Sequence, residues 1–355
     1  MNESILIGRV EEKKILEKAL QSDQAEMISI IGRRRVGKTF LIKTVYKENI
    51  DFEITGIQHA SRKEQLRNFM IQLSNFSKGT FPLIAPKDWL EAFHFLSKFL
   101  ESKNKKEKQV VFLDELPWLS THRSGFLKGL SFFWNSWAVN HNIIVVICGS
   151  AASWMIKKVV HHKGGLHNRI TKRITLKPFN LFETAAFLAA RNFNFNRYQI
   201  LHLYMAMGGV PHYLNEIEGG KSATQNIDQI CFTENGLLRD EFTKLFSSLF
   251  DKAESHIKIV RALAKKRKGL TRNALIKVSK LPEGGGASKT IEELQHSGFI
   301  SQYYPFGKKK KNSLFRLTDE YSLIYLKYIE KKQNQQKLWI WKQLSQSSSY
   351  NSWSD

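Results

Sequence analysis

The sequence predicts an α/β fold in which a parallel sheet covered by helices is followed by a helical lid and a winged helix-turn-helix. Three observations carry that prediction. Between Met27 and Gly149, short apolar strand patterns alternate with helical stretches, the signature of a parallel sheet covered on both faces. After "RITLKPFN" the strand signal nearly disappears and helical patterns take over. From about Ser255, three short amphipathic helices precede two strand-like arms around a lysine-rich tip.

The elements follow in order. Strands are expected at "MISII", "DFEITG", "QVVFLDEL" and "IIVVICGS", separated by helical segments such as "SRKEQLRNFMIQL" and "SGFLKGLSFFWNSWAV". These make an α/β domain over residues 1–175. "LFETAAFLAARN", "RYQILHLYMAM" and "GVPHYLNEI" place a helical lid over 176–254. "HIKIVRALAKKRKG", "LTRNALIKVSK" and "SKTIEELQHSGFI", then "ISQYYPFGKKKKNSLFRLTD", place the winged helix-turn-helix over 255–331. Residues 332–355 read as a polar tail with isolated tryptophans.

Composition sets the bounds. A chain of 355 residues with 42% hydrophobic content can fill two or three packed cores. The apolar run Ile143–Cys148 is far short of the ~20 residues of a membrane helix, and "MNESILIGRVEEKK" has no signal-peptide core, so a soluble cytoplasmic protein with no membrane partner is expected. Cys148 and Cys231 are too isolated for a disulfide framework or a zinc site, and Cys148 reads as core. His161, His162 and His167 lack a carboxylate or cysteine at ligand spacing. The formal charge of +23 favours polyanions, but solubility explains it as simply, and charge alone does not choose between nucleic acid, nucleotide and acidic membrane.

Chemistry concentrates in two motifs. Gly32, Gly37, Lys38 and Thr39 fit G-x-x-x-x-G-K-[ST], directly after a strand and before a helix. In such a loop, glycines admit backbone N–H groups to phosphates, Lys38 neutralises the β/γ oxygens and Thr39 ligates magnesium. The candidate nucleotide-binding segment is therefore Gly32, Arg33, Arg34, Arg35, Val36, Gly37, Lys38, Thr39 and Phe40. In "VVFLDELPW", Asp114 and Glu115 end a buried strand, where ligands of such sheets bind. Asp114 suits magnesium, and Glu115 suits orienting or deprotonating a water; the plainer alternative is that Glu115 caps a turn. Ser150 ends another strand and either senses the terminal phosphate or N-caps "AASWMIKK". Arg169 is a candidate for the terminal phosphate, in cis or from a neighbouring copy, against the default of a solvated loop residue. Trp118, Phe132, Phe133, Trp134 and Trp137 are expected to pack rather than to stack on bases.

Together with "IGRVEEKKILEKAL", "VICGSAASWMIKK", "GGLHNRITKRITLKPF", "YMAMGGVPHYL" and "DEYSLIYLKYI", these motifs resemble the archaeal and bacterial STAND-class ATPases within the AAA+ group, in the branch where a winged helix follows the P-loop domain. The resemblance implies a P-loop NTPase sheet, ATP with Mg2+ as cofactors, ATP hydrolysis by a molecular switch, and nucleotide-dependent self-association. It implies that Gly8 and Arg9 border the adenine pocket and that Gly209 and Pro211 set the lid over the nucleotide. From the residues alone, "GGVP" is a helix break followed by a prolyl helix start. Relatives of this type often continue into a PD-(D/E)xK nuclease-like domain, whose entry "YNSWSD" resembles; no nuclease activity is assigned.

Two further expectations concern charge. Residues 255–330 hold 16 Lys/Arg against 6 Asp/Glu, a net of +10, which suits a DNA partner. However, the candidate recognition helix carries Glu292 and Glu293, so backbone contact with little sequence choice is expected, and internal packing is the alternative role. Arg33, Arg34 and Arg35 occupy free positions of the phosphate loop and are expected to pin it to neighbouring acids, with Arg34→Ala loosening the tie between nucleotide and lid more than ATP affinity.

Overall fold

The computed structural model describes residues 6–80, 84–103, 105–121, 123–160, 166, 168–306, 313–332 and 340–347. Contacts divide the chain into two units: Met1–Arg33 with Gly37–Leu176, and Arg34–Val36 with Lys177–Asp355.

The first unit is built on five parallel strands, β1 (Glu26–Ile31), β2 (Ile50–Thr55), β3 (Gln109–Asp114), β4 (Ile143–Gly149) and β5 (Lys172–Thr175), in the order β2-β3-β4-β1-β5. Every residue of β1, β3 and β4 is buried, which is why these strands read as unbroken apolar runs. The edge strand β5 buries only Ile174. Its sequence "KRIT" lacks an apolar run, so the pattern gave no fifth strand. Helices Arg62–Phe76, Trp89–Ser102 and Phe126–Ser136 pack an aromatic layer on the sheet, with the Trp89 and Phe126 rings edge-on at 4.6 Å and Phe93 stacked on Phe133 at 5.2 Å. Phe133 and Trp134 are buried as expected, whereas Phe132 is 57% exposed.

The sheet order places β4 between β1 and β3. The phosphate loop after β1, Ser150 after β4 and the acids at the end of β3 therefore emerge side by side at the carboxyl edge.

The second unit contains helices Leu181–Ala190, Arg197–Met207, Pro211–Leu214, Ala223–Phe232, Glu241–Leu249, Ala253–Ala264, Arg272–Val278 and Gly285–His296. Three helix starts are set by capping boxes, Asn180 with Glu183, Asn196 with Gln199 and Ser222 with Gln225. An antiparallel pair follows, β6 (Ile300–Tyr303) and β7 (Leu314–Leu317), and Leu270 bridges to Phe315 of β7. Helices on both sides of residue 255 share one apolar core, from Phe179 to Trp341.

The tail differs from its reading as a polar remnant. Residues Ile340–Leu344 form a helix with Ile340 and Trp341 buried, and Trp341 stacks on Phe232 at 6.0 Å and meets Tyr328 edge-on at 5.7 Å. Buried Asp228 accepts from the backbone N–H groups of Trp341 (2.5 Å) and Lys342 (3.2 Å), a helix cap supplied by a distant helix. The pattern missed this because the short apolar run at residues 338–341, with Leu344 beyond it, is too brief to show a helical period. Lys308–Lys311, His161, His162, His167 and "YNSWSD" lie outside the described residues. No helix among the described residues is long and apolar enough to cross a membrane.

Candidate nucleotide site

The loop after β1 turns through left-handed residues, Arg35 at φ 72° and Gly37 at φ 91°, and enters helix Lys38–Val45. No side chain caps that helix, so its first-turn N–H groups point out of the helix toward an anion site. Lys38 is buried, and its ammonium donates to the carbonyls of Gly32 (2.9 Å) and Arg33 (3.0 Å), which holds it across the loop. Phe40 projects outward, 44% exposed.

Thr39 Oγ1 donates to Asp114 Oδ2 at 2.7 Å, and the Glu115 N–H donates to Asp114 Oδ1 at 2.9 Å. Two oxygens at adjacent corners of a magnesium octahedron stand about 2.9 Å apart, given Mg–O bonds of about 2.0–2.1 Å. The Thr39 and Asp114 oxygens thus fit magnesium by separation and by hard-oxygen chemistry.

Glu115 adopts a left-handed backbone (φ 47°), which is why β3 ends at Asp114 and not at Leu116 as the apolar pattern implied. It occupies the N-cap position of the short helix Leu116–Leu119, but its side chain makes no cap. Instead, Ser150 Oγ lies 2.8 Å from each Glu115 carboxylate oxygen, and the Ser150 N–H donates to Oε2 at 3.1 Å. Ser150 does not cap the following helix either, whose N-cap is Ala151. The turn is wedged between two glycines: a Cβ on Gly56 would stand 2.7 Å from the Glu115 carbonyl oxygen, and one on Gly149 would stand 2.8 Å from Pro117 Cδ. Cys148, beside Gly149 in β4, is buried, and burial pushes its thiol well up.

The three arginines separate. Arg33 is buried and Arg34 exposed, while Arg35 Nη1 lies 2.8 Å from the Glu241 carboxylate with its guanidinium 5.8 Å from the Tyr213 ring centroid. The ion pair expected of the run is thus made by Arg35. Burial pushes Glu241 up, opposed by Arg35 and by the Tyr213 hydroxyl, which donates to it at 3.1 Å. Neither Glu241 nor Tyr213 was singled out from the sequence; an acid opening an amphipathic helix looks like ordinary dipole chemistry.

The remaining candidates are placed as follows. Gly8 (φ 66°) and Arg9 (φ 57°) form a left-handed turn ahead of helix Val10–Leu20, where Arg9 is buried and lies 3.9 Å from Glu12. Gly209 (φ 63°) admits no side chain, since a Cβ would stand 2.0 Å from the Phe179 carbonyl oxygen, and Pro211 opens helix Pro211–Leu214. Arg169 is exposed on the turn before β5. Thr39, Asp114, Glu115 and Ser150 are the group that direct contacts bring together.

Comparison with known proteins bears on the fold and the family. The Methanocaldococcus jannaschii protein MJECL04 is 25% identical over 333 residues, covering 92% of this chain and 69% of that protein. The Walker-type ATPase PABY2304 of Pyrococcus abyssi superposes with a TM-score of 0.64 at 18% identity, covering 90% of this chain and 96% of that one. The Aeropyrum pernix ORC2 protein, solved with ADPNP and ADP, superposes with a TM-score of 0.56 at 15% identity, covering 96% of each chain. The sequence profile of an ATPase domain found predominantly in Archaea matches residues 6–217, and this chain, with its ATP-binding P-loop, belongs to that family.

Proposed function

We propose that the chain is an ATP-hydrolysing switch of the STAND type, whose nucleotide state is relayed through the helical lid to a winged helix. The observation that carries this reading is the unbroken hydrogen-bonded line from Thr39 through Asp114 and the Glu115 N–H to the Glu115 carboxylate held by Ser150. A nucleotide binder needs the first two residues; an acid held at a strand end beyond them is the part hydrolysis requires. Lys38 neutralises the β/γ oxygens, and Thr39 and Asp114 hold magnesium, which supplies charge neutralisation at the phosphates. Glu115 orients and deprotonates the attacking water, and Ser150 fixes its carboxylate. Arg169, exposed, approaches the terminal phosphate in its own or a neighbouring copy, and Gly8, Arg9, Gly209 and Pro211 border the nucleotide. The winged-helix reading is supported by the order of three helices and the β6–β7 hairpin, with Leu270 in the third strand position. Phosphate release by wild type and Glu115→Gln tests the hydrolytic role: equal rates would remove Glu115 from the chemistry.

A second reading is a DNA-binding regulator with little sequence choice. Lys265, Lys266, Arg267 and Lys268 form an exposed run, and Arg267 and Lys331, after burial, hold the Lys327 ammonium below its usual range, the mark of a positive surface. Glu293 on helix Gly285–His296 is occupied by His256 (2.9 Å), which leaves backbone contact through the basic run as the mode of binding. Filter binding to duplex DNA across a salt series decides it; no retention at low salt removes this reading. Light scattering with and without ATP tests nucleotide-dependent self-association, and fractionation of cells tests the cytoplasmic location.

A further inference from the structure

Glu241 is a buried charge that the proposed chemistry does not use, and its partner lies in the phosphate loop. Glu241 is 2% exposed at the start of helix Glu241–Leu249, and its carboxylate is shared by Arg35 at 2.8 Å and the Tyr213 hydroxyl at 3.1 Å. Its position is braced: Tyr213 packs on Tyr321 at 5.5 Å, and the Tyr321 hydroxyl donates to the Leu238 carbonyl at 2.8 Å, three residues before Glu241. A carboxylate this buried needs a paired cation, because leaving it alone in a dry site is costly. Arg35 in turn holds a left-handed backbone (φ 72°) that non-glycine residues adopt only under restraint. Successive N–H groups around such a residue form an anion-binding concavity, so what holds Arg35 also shapes the cradle.

We infer that Arg35 is a positioning residue whose ion pair with Glu241, supported by Tyr213, holds the phosphate loop in its nucleotide-binding shape and so sets the rate at which nucleotide leaves. The inference rests on the ATP reading above and adds its regulation. The Arg35 side chain is committed to a carboxylate and acts on phosphate only through the backbone it fixes. Anything that shifts helix Glu241–Leu249 or Tyr213 changes nucleotide release without touching Lys38, Thr39 or Asp114.

The test uses the full chain, with dissociation of a fluorescent ADP analogue followed by stopped flow beside steady-state ATP turnover. Arg35→Met and Glu241→Gln are each expected to speed ADP release and raise KM by about tenfold, within the 5–150-fold range of coupled sites, with kcat under Glu241→Gln changed less than about twofold. The double variant should be no faster than either single one, and the exchange Arg35→Glu with Glu241→Arg should recover much of the slow release. Glu241→Gln keeps the size and the Tyr213 bond, so it reports the charge where a larger change would unfold the unit. Unchanged release over a wild type that binds the analogue overturns this inference alone. Multiplying effects in the double variant, or a collapse of kcat with release unmoved, also overturns it. Failure of wild type to bind the analogue overturns the ATP reading with it.

Discussion

Replacing Trp341 by alanine should cost the second unit a large share of its stability, although sequence pattern alone assigns that residue to a tail. Its ring is fully buried, stacked on Phe232 and set edge-on to Tyr328. An aromatic of this size buries about 150–250 Å2, worth about 4–6 kcal/mol at 25 cal/mol per Å2. A compact unfolded chain lowers that by about 10–40%, leaving about 2–5 kcal/mol, which overlaps the usual range for Trp→Ala in a core. Part of the loss comes through Asp228, whose two N–H partners belong to Trp341 and Lys342 and lose their place when the helix undocks. Urea unfolding followed by far-UV circular dichroism measures the change, with the fully exposed Phe306→Ala as a control expected to stay within about 0.5 kcal/mol. A loss below about 1 kcal/mol for Trp341→Ala would refute the docking of residues 340–344.

Other outcomes follow from the same contacts. Gly149→Ala drives a Cβ to 2.8 Å from Pro117 and 2.9 Å from Met155 Sδ, so it should destabilise by about 1–3 kcal/mol and slow phosphate release by displacing Ser150 from Glu115; unaltered kinetics in a folded variant would show that the wedge does not aim the acid. Thr39→Ala should abolish the gain in ATP affinity on adding magnesium while leaving metal-free binding little changed, as read by calorimetry. Burial raises the Asp228 carboxyl above its ordinary value near 3.8, its two backbone bonds opposing. The native chain therefore keeps a proton that the unfolded chain releases, and stability from this group is full below that value and falls as pH rises through the raised one. Asp228→Asn should flatten this part of the acid-side stability curve, and an unchanged slope would place the titration elsewhere.

The buried centre of the sheet was legible because β1, β3 and β4 are dry on both faces and leave continuous apolar runs; edge strand β5, with one buried residue, leaves none. Lys38, Thr39, Asp114 and Glu115 were legible because phosphate and magnesium chemistry fixes both residue type and the strand-end context. Ser150 could be located but not given its partner, since a hydroxyl at a strand end serves a cap and a carboxylate equally well. Glu241 was invisible: the pairing with Arg35 spans more than 200 positions, and no local pattern marks which cation a buried acid will find. Trp341 was misread because a short contiguous apolar run inside a polar segment shows no helical period.

The grouping of Arg34–Val36 with residues from Lys177 onward has a consequence for the order in which the protein is made. A ribosome adding about 5–20 residues per second delivers Glu241 about 10–40 s after Arg35. Only after Thr175, the last residue of β5, has been added is every strand of the sheet made, and from then until Glu241 arrives Arg35 still lacks the carboxylate that pairs with it. If that pair sets the release of nucleotide as inferred above, the nascent chain passes through a stage with all strands made and Arg35 unpaired, and its grip on nucleotide matures only when Glu241 arrives.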